Sequence, residues 1–359
     1  MDKKKIVHIV PTFGQGGVQT GMLYSLEDLN KTYDYKILVI TEIDTEWIEN
    51  LSPLLRTYII DTGSSNLAEG WIKGYKILKQ LKPDFIISSL WKSVILSGSF
   101  KILNRHTVLA GFFHTAFSPH LAYNFFCRIL IKLQDLCFAD SQATKDYIQV
   151  RYNIKNAVVV PYLFSFKKRE RTRKFDPSNI RFAYFGRIAP LKNIDRALAF
   201  CKLCSENGLN FTFDLYTSGA IEIYKQKIDD LGLTKQVTLL ETIPLEQVME
   251  KMLGYDFLLQ LSNYEGMALS VVEAMNCGLV PVVTPVGEIS RYSKDGVNAI
   301  WLDSAFDDNL PQLVEKIRKV IADPAKYYAL STGAEDAFIN YKKYSEAMIE
   351  AIDKKLAVK

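Results

Sequence analysis

Residues 262–283 have the sequence SNYEGMALSVVEAMNCGLVPVV, in which Glu265 and Glu273 lie eight positions apart. Gly266 permits a tight turn after the first glutamate, and Gly278 can end a helix that contains the second. The stretch therefore predicts a loop, a helix that begins between the two glutamates, and a buried strand.

The first turn of this helix is predicted to be an anion site. Backbone amides at a helix start have no partners within the helix, and the helix dipole favours negative charge there, such as a phosphate. Glu273 can accept hydrogen bonds from a vicinal diol such as a ribose, and Glu265 can reach a sugar hydroxyl. The alternative is an acidic loop before an ordinary buried helix, with Glu273 in a surface salt bridge. The amides concerned are those of Met267, Ala268 and Leu269.

Strand and helix patterns alternate along the chain. Short segments rich in β-branched and aromatic residues are separated by longer helical stretches, which predicts βαβ units on parallel sheets. A length of 359 residues favours two such domains. The predicted strands are 6–10, 35–40, 58–60, 85–90, 108–113, 136–139 and 158–160 in the first half, and 180–185, 211–216, 237–240, 257–260 and 280–283 in the second.

Residues 164–178 are predicted to be a basic linker between the domains. The charge run at 167–174 and Pro177 have the composition of an exposed connector. The two α/β domains are then expected at residues 1–163 and 179–337.

Two cations follow the predicted strand 180–185. Arg187 and Lys192 would lie at the carboxyl end of that strand, the edge at which ligands of open α/β sheets bind. Arg as a planar fork and Lys as a mobile point charge can hold a diphosphate. Solvated surface charges are the alternative interpretation.

The first predicted strand is followed by a glycine loop, PTFGQGGVQTGM at residues 11–22. Gly16 and Gly17 can bring the backbone close to a ligand, and a purely structural turn is the alternative. Gln19 occupies the third glycine position of the dinucleotide fingerprint G-x-G-x-x-G, so the match to this oxidoreductase motif is incomplete. His114, at the end of the predicted strand 108–113, is expected to face a cleft, with a structural histidine as the alternative.

The composition is that of a globular protein, with 48% hydrophobic and 23% charged residues. The sequence has no run of about 18 uncharged apolar residues, which is the length needed to cross a bilayer. The start MDKKKIVHIV lacks the apolar core of a signal peptide, so a cytoplasmic location is predicted. Five cysteines without a framework spacing fit a reducing compartment, and Cys201 and Cys204 are interpreted as buried thiols.

Positive charge is concentrated in the first half of the chain. Residues 1–175 hold 24 Lys and Arg against 15 Asp and Glu, a net charge of +9, whereas the whole chain has +4. Such a surface can meet anionic headgroups on the inner face of a membrane or a phosphate-bearing acceptor, and a solvated face is the alternative. No nucleic-acid partner is expected.

Several catalytic motifs are missing from the sequence, which has no Asp-x-Asp at a predicted strand end, H-E-x-x-H, G-x-S-x-G or Walker G-x4-G-K-[ST]. The charge of a leaving diphosphate would then be met by Arg187, Lys192 and helix amides. The sequence therefore predicts neither a metal nor a cofactor.

Together these residues resemble the retaining glycosyltransferases of family 4, which belong to the group 1 glycosyl transferases. The most specific element of the resemblance is the acid pair Glu265 and Glu273 with the run that follows it, and the resemblance covers most of the chain. It implies an α/β protein of the GT-B class, with two Rossmann-like doubly wound parallel-sheet domains that face a deep cleft. The first domain would bind the acceptor and the second the nucleotide sugar, and a carboxyl-terminal helix at about 338–359 would pack back on the first.

The resemblance also implies roles for single residues. Glu273 would bind the donor ribose, Glu265 the transferred sugar, and His114 would touch the donor sugar. Catalytic roles are implied for Glu265, His114, Arg187 and Lys192. Contacts with the nucleotide sugar are implied for Gly16, Gly17, Arg187, Lys192, Ser218, Gly219, Glu265, Gly266, Met267, Ala268, Leu269 and Glu273.

The implied activity is that of a metal-independent hexosyltransferase of class EC 2.4. It would move a hexose or N-acetylhexosamine from a nucleotide diphosphate sugar, with UDP favoured over GDP, to a glycan or lipid-linked acceptor in polysaccharide or cell-envelope synthesis. One alternative is an NAD-dependent oxidoreductase, which a response to NADH would reveal. The other is an inactive GT-B partner protein, which donor hydrolysis would exclude.

Overall fold

Buried parallel strands occupy the centre of each half of the chain in the computed structural model, which describes residues 3–14, 16–49, 51–114, 121–164, 171–303 and 309–358. Apolar side chains on both faces of these strands are buried, as expected for sheets covered by helices on each side. The strands are β1 (Lys5–Val10), β2 (Asp34–Val39), β3 (Ile59–Asp61), β4 (Phe85–Ser89), β5 (Val108–Phe113), β6 (Leu136–Ala139), β7 (Ala157–Val159), β8 (Ile180–Phe185), β9 (Phe211–Tyr216), β10 (Val237–Leu240), β11 (Phe257–Gln260), β12 (Val280–Val283) and β13 (Ile300–Trp301).

Helices connect most of these strands. In the described part of the chain, no helix is both long and apolar enough to cross a membrane. The helices are α1 (Gly17–Thr32), α2 (Thr45–Glu49), α3 (Pro53–Arg56), α4 (Leu67–Leu81), α5 (Val94–Leu103), α6 (Leu121–Leu133), α7 (Gln142–Tyr152), α8 (Ile194–Glu206), α9 (Ile221–Asp230), α10 (Leu245–Met252), α11 (Leu269–Asn276), α12 (Ile289–Tyr292), α13 (Leu310–Ile321), α14 (Pro324–Asp336) and α15 (Tyr344–Ala357).

The first sheet has the strand order β3-β2-β1-β4-β5-β6-β7, and its strands are parallel. His8 in β1 lies opposite Ile37 of β2 and Ile87 of β4. The chain order reverses between β1 and β4. Ligands of open α/β sheets bind outside the carboxyl ends of the strands at such a point.

The second sheet has the order β10-β9-β8-β11-β12-β13 and is also parallel. Its order reverses between β8 and β11, so the loops that follow these two strands lie at the switch point. β13 was not predicted, because a strand of two residues gives no periodic signal.

The chain divides into two compact units. Unit 1 consists of Met1–Phe164 and Lys342–Lys359, and unit 2 consists of Ser165–Tyr341. Each unit has a doubly wound parallel sheet with its own hydrophobic core. The predicted fold class, α/β with two Rossmann-like domains, is therefore confirmed, and the deep cleft stays a prediction.

Helix α15 covers one face of the first sheet. Tyr344 at its start donates its backbone amide to Leu163 at 2.7 Å, and its ring stacks on Tyr162 at 5.2 Å. The hydroxyl group of Tyr33 donates to Asp353 in the same helix at 2.7 Å. The buried residues of α15 recur every three or four positions and comprise Tyr344, Ala347, Met348, Ala351 and Ile352.

The basic linker predicted at residues 164–178 differs from the structure. Residues 165–170 lie outside the described residues. From Arg171 the chain packs on unit 2, where the Arg171 guanidinium lies 3.2 Å from the Asp256 carboxylate and Phe175 stacks on Tyr327 at 3.7 Å. Asp256 is fully buried and needs a cationic partner, so part of the charge run serves the interior of unit 2.

Cys201 and Cys204 lie buried in α8, as predicted for structural thiols. Burial raises the pKa of Cys204 to about 12, so its thiol is protonated at neutral pH. Among the described residues, no group of three or more His, Cys, Asp and Glu side chains could hold a metal ion.

Candidate active site

The loop after β8 places Arg187 and Lys192 at the carboxyl edge of the second sheet. Tyr184 donates its hydroxyl hydrogen to the backbone oxygen of Arg187 at 3.0 Å, which fixes the start of the loop. Burial raises the pKa of Tyr184, so the hydroxyl keeps its proton. Arg187 is exposed, and Lys192 ends a 3-10 turn that begins at Pro190.

Lys192 and Glu265 form an ion pair in which the ammonium nitrogen lies 2.8 Å from each carboxylate oxygen. Gln260 and Ser262 donate to Oε1 of the same carboxylate at 2.7 and 2.6 Å. Ser270 donates to the amide oxygen of Gln260 at 2.7 Å, which turns the Gln260 NH2 group toward Glu265. The side chain of Glu265 is 6% exposed and that of Lys192 is 28% exposed. The carboxylate is therefore held inside the protein, whereas the ammonium reaches solvent.

Helix α11 begins at Leu269, between the two glutamates, as the sequence predicted. Ala268 at its N-cap has a left-handed φ of 54° and provides no side-chain cap. In the part of the chain that the structure describes, the backbone amides of Met267, Ala268 and Leu269 donate to no protein acceptor. These amides and the helix dipole make the start of α11 suitable for an anion.

The loop before α11 is fastened to the segment that follows β12. The backbone oxygen of Gly266 accepts a hydrogen bond from the amide of Glu288 at 3.0 Å, and that of Met267 accepts one from the Tyr292 hydroxyl at 3.1 Å. Gly287 has a φ of +57°, and a Cβ atom there would lie 2.0 Å from the backbone oxygen of Glu265. Only glycine permits this close approach.

Glu273 is the fifth residue of α11 and is 5% exposed. Its burial is inconsistent with the alternative of a surface salt bridge. Ser218 and Gly219 follow β9, the neighbour of β8, and the backbone oxygen of Ser218 accepts a hydrogen bond from the amide of Ile188 at 3.1 Å. This turn therefore lies beside the loop that contains Arg187.

The glycine loop of unit 1 leads into α1. Gly16 is the N-cap residue, and Gly17 is the first residue of the helix. The side-chain amide of Gln19 donates to the backbone oxygen of Thr12 at 3.4 Å. A Cβ atom at Gly16 would lie 2.7 Å from the Gln19 side-chain oxygen, so Gln19 folds back over the loop.

His114 follows β5 and is engaged at both ring nitrogens. Nε2 lies 2.8 Å from the Ser89 hydroxyl, and Nδ1 lies 3.1 Å from the Tyr162 hydroxyl. Burial lowers the pKa of His114 to about 3, so the imidazole is neutral at physiological pH.

Residues 165–337, almost all of unit 2, match the family model of glycosyl transferases group 1. Unit 2 is therefore similar to the glycosyl transferases group 1 over almost its whole length. Arg187, Lys192, Glu265 and Glu273 all lie within the matched residues.

Two curated relatives match part of the chain. The GPI3 subunit of phosphatidylinositol N-acetylglucosaminyltransferase from Saccharomyces cerevisiae is 29% identical over 191 residues, which cover 52% of this chain and 40% of the relative. GDP-mannose:cellobiosyl-diphosphopolyprenol alpha-mannosyltransferase from Xanthomonas oryzae is 24% identical over 240 residues, covering 62% and 61%. The chain spans less than two thirds of the length of either relative.

The fold resembles that of Anabaena HepE, solved in complex with UDP and glucose. The TM-score is 0.81 at 18% sequence identity, and the match covers 98% of this chain and 100% of HepE. At this identity the likeness concerns the fold, which is GT-B.

Three residues of unit 2 that contact Glu265 were not predicted. Gln260 and Ser262 donate hydrogen bonds to the Glu265 carboxylate, and Gly287 leaves room for the Glu265 backbone oxygen. The polar residue at the end of the apolar strand FLLQ was the available signal for Gln260. The sequence TPVGE is typical of many turns, so nothing in it indicated that Gly287 contacts the Glu265 backbone.

Proposed function

We propose that the chain is a glycosyltransferase that moves a hexose or N-acetylhexosamine from a nucleotide diphosphate sugar to an acceptor, with retention of anomeric configuration. The observation that carries the proposal is the Lys192–Glu265 pair at the switch point of the second sheet, in the same domain as the open amides of α11. Cations and unpaired amides suit a diphosphate, and carboxylates suit the hydroxyl groups of a ribose and a sugar.

The donor is proposed to bind to unit 2. Its diphosphate would contact Arg187, Lys192 and the start of α11. Glu273 would accept hydrogen bonds from the ribose, and Glu265 would contact the transferred sugar. Lys192 can bind a phosphate without leaving the Glu265 carboxylate short of hydrogen-bond donors, because Gln260 and Ser262 also donate to that carboxylate.

The proposed chemistry is attack by the acceptor on the same face of the sugar from which the diphosphate departs. The bond between the anomeric carbon and the diphosphate oxygen breaks, and a bond from that carbon to the acceptor oxygen forms. The leaving phosphate oxygen takes the acceptor's proton. Arg187, Lys192 and the amides of α11 would stabilise the charge on the leaving group without a metal ion.

UDP is the proposed nucleotide. Anabaena HepE binds UDP and glucose, and this supports a UDP-sugar. The name of the Xanthomonas relative specifies GDP-mannose, which keeps a GDP-sugar as the second candidate.

The acceptor is proposed to be a glycan or a lipid-linked glycan that binds to unit 1. The names of both curated relatives specify lipid substrates, a phosphatidylinositol and a diphosphopolyprenol. Residues 1–164 of unit 1 hold 18 Lys and Arg against 14 Asp and Glu, and this positive net charge also suits a phosphate-bearing acceptor or an anionic membrane surface.

A thermal-shift panel of UDP, GDP, UDP-glucose, UDP-N-acetylglucosamine, GDP-mannose and NADH tests the proposal. A ligand that binds the folded state at 100 times its Kd stabilises it by about 2.7 kcal/mol. We expect a UDP compound to raise the melting temperature of the wild type and to have a smaller effect on Glu273→Gln. Stabilisation by NADH alone would instead indicate an oxidoreductase. Chromatography of the nucleotide released from the stabilising sugar then tests for transfer or hydrolysis.

A further inference from the structure

A chain of hydrogen bonds crosses one face of the first sheet and reaches His114. It starts at the Tyr35 hydroxyl on β2, 2.6 Å from His8 Nδ1 on β1. His8 Nε2 lies 2.6 Å from the Ser89 hydroxyl at the end of β4, which lies 2.8 Å from His114 Nε2. The Tyr162 hydroxyl, 3.1 Å from His114 Nδ1, is the last member.

The inner members of this chain are sealed from solvent. Tyr35, His8 and Ser89 are 0% exposed, so their polar atoms need partners within the protein. Burial lowers the pKa of His8 and brings that of His114 to about 3, so each imidazole is neutral and has a single N–H. The ring of Phe112 lies 6.1 Å from that of His8 and 4.3 Å from that of His114, which restrains both imidazoles.

Ser89 has one hydroxyl hydrogen and two imidazole neighbours, so the chain of hydrogen bonds has two possible proton arrangements. If Ser89 donates to His114, then His8 donates from Nε2 to Ser89, Tyr35 donates to His8, and His114 carries its hydrogen on Nδ1. If Ser89 donates to His8, every bond reverses and Tyr35 must accept from His8. Each arrangement leaves the hydroxyl hydrogen of one terminal tyrosine without an acceptor among the described residues, that of Tyr162 in the first and that of Tyr35 in the second. Tyr35 is 0% exposed, whereas Tyr162 is 4% exposed and borders His114, which is partly exposed. The unpaired hydrogen is therefore farther from water at Tyr35, and the second arrangement is the costlier one.

We infer that Tyr35 and His8 are positioning residues that act on His114 through Ser89. The Tyr35 hydroxyl sets the direction of these hydrogen bonds and so fixes His114 as the Nδ1–H tautomer, with Nε2 accepting from Ser89. Both ring nitrogens are then occupied, so His114 is a rigid neutral group at the carboxyl edge of the sheet rather than a proton donor or acceptor for the substrate. A part for His114 in turnover rests on the proposed function, whereas the assignment of its tautomer does not.

The test is NMR of the full chain labelled with 15N at its four histidines. Imidazole N–H correlations show which nitrogen carries the hydrogen, and the His114 signals are assigned by their loss in His114→Gln. We expect His114 of the wild type to be protonated at Nδ1 and His8 at Nε2. In Tyr35→Phe, which removes one oxygen atom three hydrogen bonds from His114, the ratio of Nδ1–H to Nε2–H at His114 should fall about tenfold, the effect of one buried hydrogen bond.

The matched control is Tyr33→Phe. Tyr33 is also buried, but its hydroxyl binds Asp353 outside the chain of hydrogen bonds, so the His114 signals should not change. An Nε2–H tautomer in the wild type, or unchanged His114 signals in folded Tyr35→Phe, would overturn the inference. The wild-type spectrum decides the tautomer even if Tyr35→Phe does not fold. The spectra are recorded without a nucleotide sugar and do not depend on turnover, so a failure of the proposed function would leave this result standing.

Discussion

Lys192 pairs with the buried Glu265 carboxylate and is proposed to bind the donor diphosphate as well. The ammonium is 28% exposed, so it can turn toward a ligand. Gln260 and Ser262 would then continue to donate to Glu265. The pairing of Lys192 with Glu265 could not be predicted from the sequence, because the two residues follow different strands and only the sheet order brings them together.

Lys192→Ala should lower kcat by about a hundredfold, as loss of one preorganised charge at a transition state typically does. Lys202→Ala is the matched control, because Lys202 lies on the exposed side of α8 and forms a surface pair with Glu206 at 3.7 Å. Release of nucleotide from the donor sugar is measured for both variants. Equal turnover by the two would remove Lys192 from the proposed mechanism.

Gly287→Ala should destabilise the protein more than Gly296→Ala. Both glycines have positive φ, +57° and +70°, so both variants acquire the backbone strain of a left-handed alanine, about 1–2 kcal/mol. At Gly296 the added methyl group meets no atom within 4 Å, whereas at Gly287 it meets the Glu265 backbone at 2.0 Å. The clash should lower the free energy of unfolding by a further 1–3 kcal/mol, about the cost of overpacking. Urea unfolding measures this difference, and equal values would contradict the contact.

Acid should destabilise the protein partly through His8 and His114. Folding lowers the pKa of both imidazoles, that of His114 to about 3, so the unfolded state binds more protons. Their contribution is complete above the unfolded pKa of about 6.5 and is lost as pH falls below it, by up to about 1.4 kcal/mol per pH unit for each. His114→Gln should therefore reduce the slope of unfolding free energy against pH between about pH 6 and 4. The exposed His106→Gln serves as control, and equal slopes for the two variants would show that His114 is not buried neutral.

At the scale of elements, the sequence predicted strands more accurately in the second half of the chain than in the first. β8, β9, β10, β11 and β12 have the predicted bounds. Each is an apolar run with clear turn residues around it, so its limits are set locally. The start of α11 was predictable for the same reason, since Gly266 interrupts the pattern before the helix.

Other features depend on distant parts of the chain. Arg171 was assigned to an exposed linker because a charge run is usually solvated, but its partner Asp256 lies 85 positions away. His8 could be placed in the core from its strand. Its hydrogen bonds to Tyr35 and Ser89 follow from the order of β2, β1 and β4, which a single sequence does not specify.

Ile352→Ala should weaken the packing of α15. Ile352 is 0% exposed, and removal of such a side chain typically costs about 2–5 kcal/mol of unfolding free energy. Lys354→Ala, on the exposed side of the same helix, should change it by less than about 0.5 kcal/mol. Chemical unfolding of the two variants provides the comparison. A small effect of Ile352→Ala would mean that α15 contributes little to stability.

At the scale of the whole molecule, separate cores in the two units predict separate local stabilities. Native-state hydrogen exchange should show that Ile352→Ala lowers protection in β1, β2 and α1 of unit 1 and leaves β8, β9 and β11 of unit 2 unchanged. Ile317→Ala, a fully buried position in α13, should have the opposite distribution. Loss of protection throughout the chain in both variants would show that the units unfold together.

The position of α15 in the chain also has a consequence for protein synthesis. Unit 2 is continuous from Ser165 to Tyr341, whereas unit 1 needs Lys342–Lys359, which are synthesised after unit 2. Domains usually fold in the order in which they emerge. Here the second unit can be completed before the first, and the sheet face that receives Tyr344 stays uncovered in the nascent chain until all of unit 2 has been synthesised.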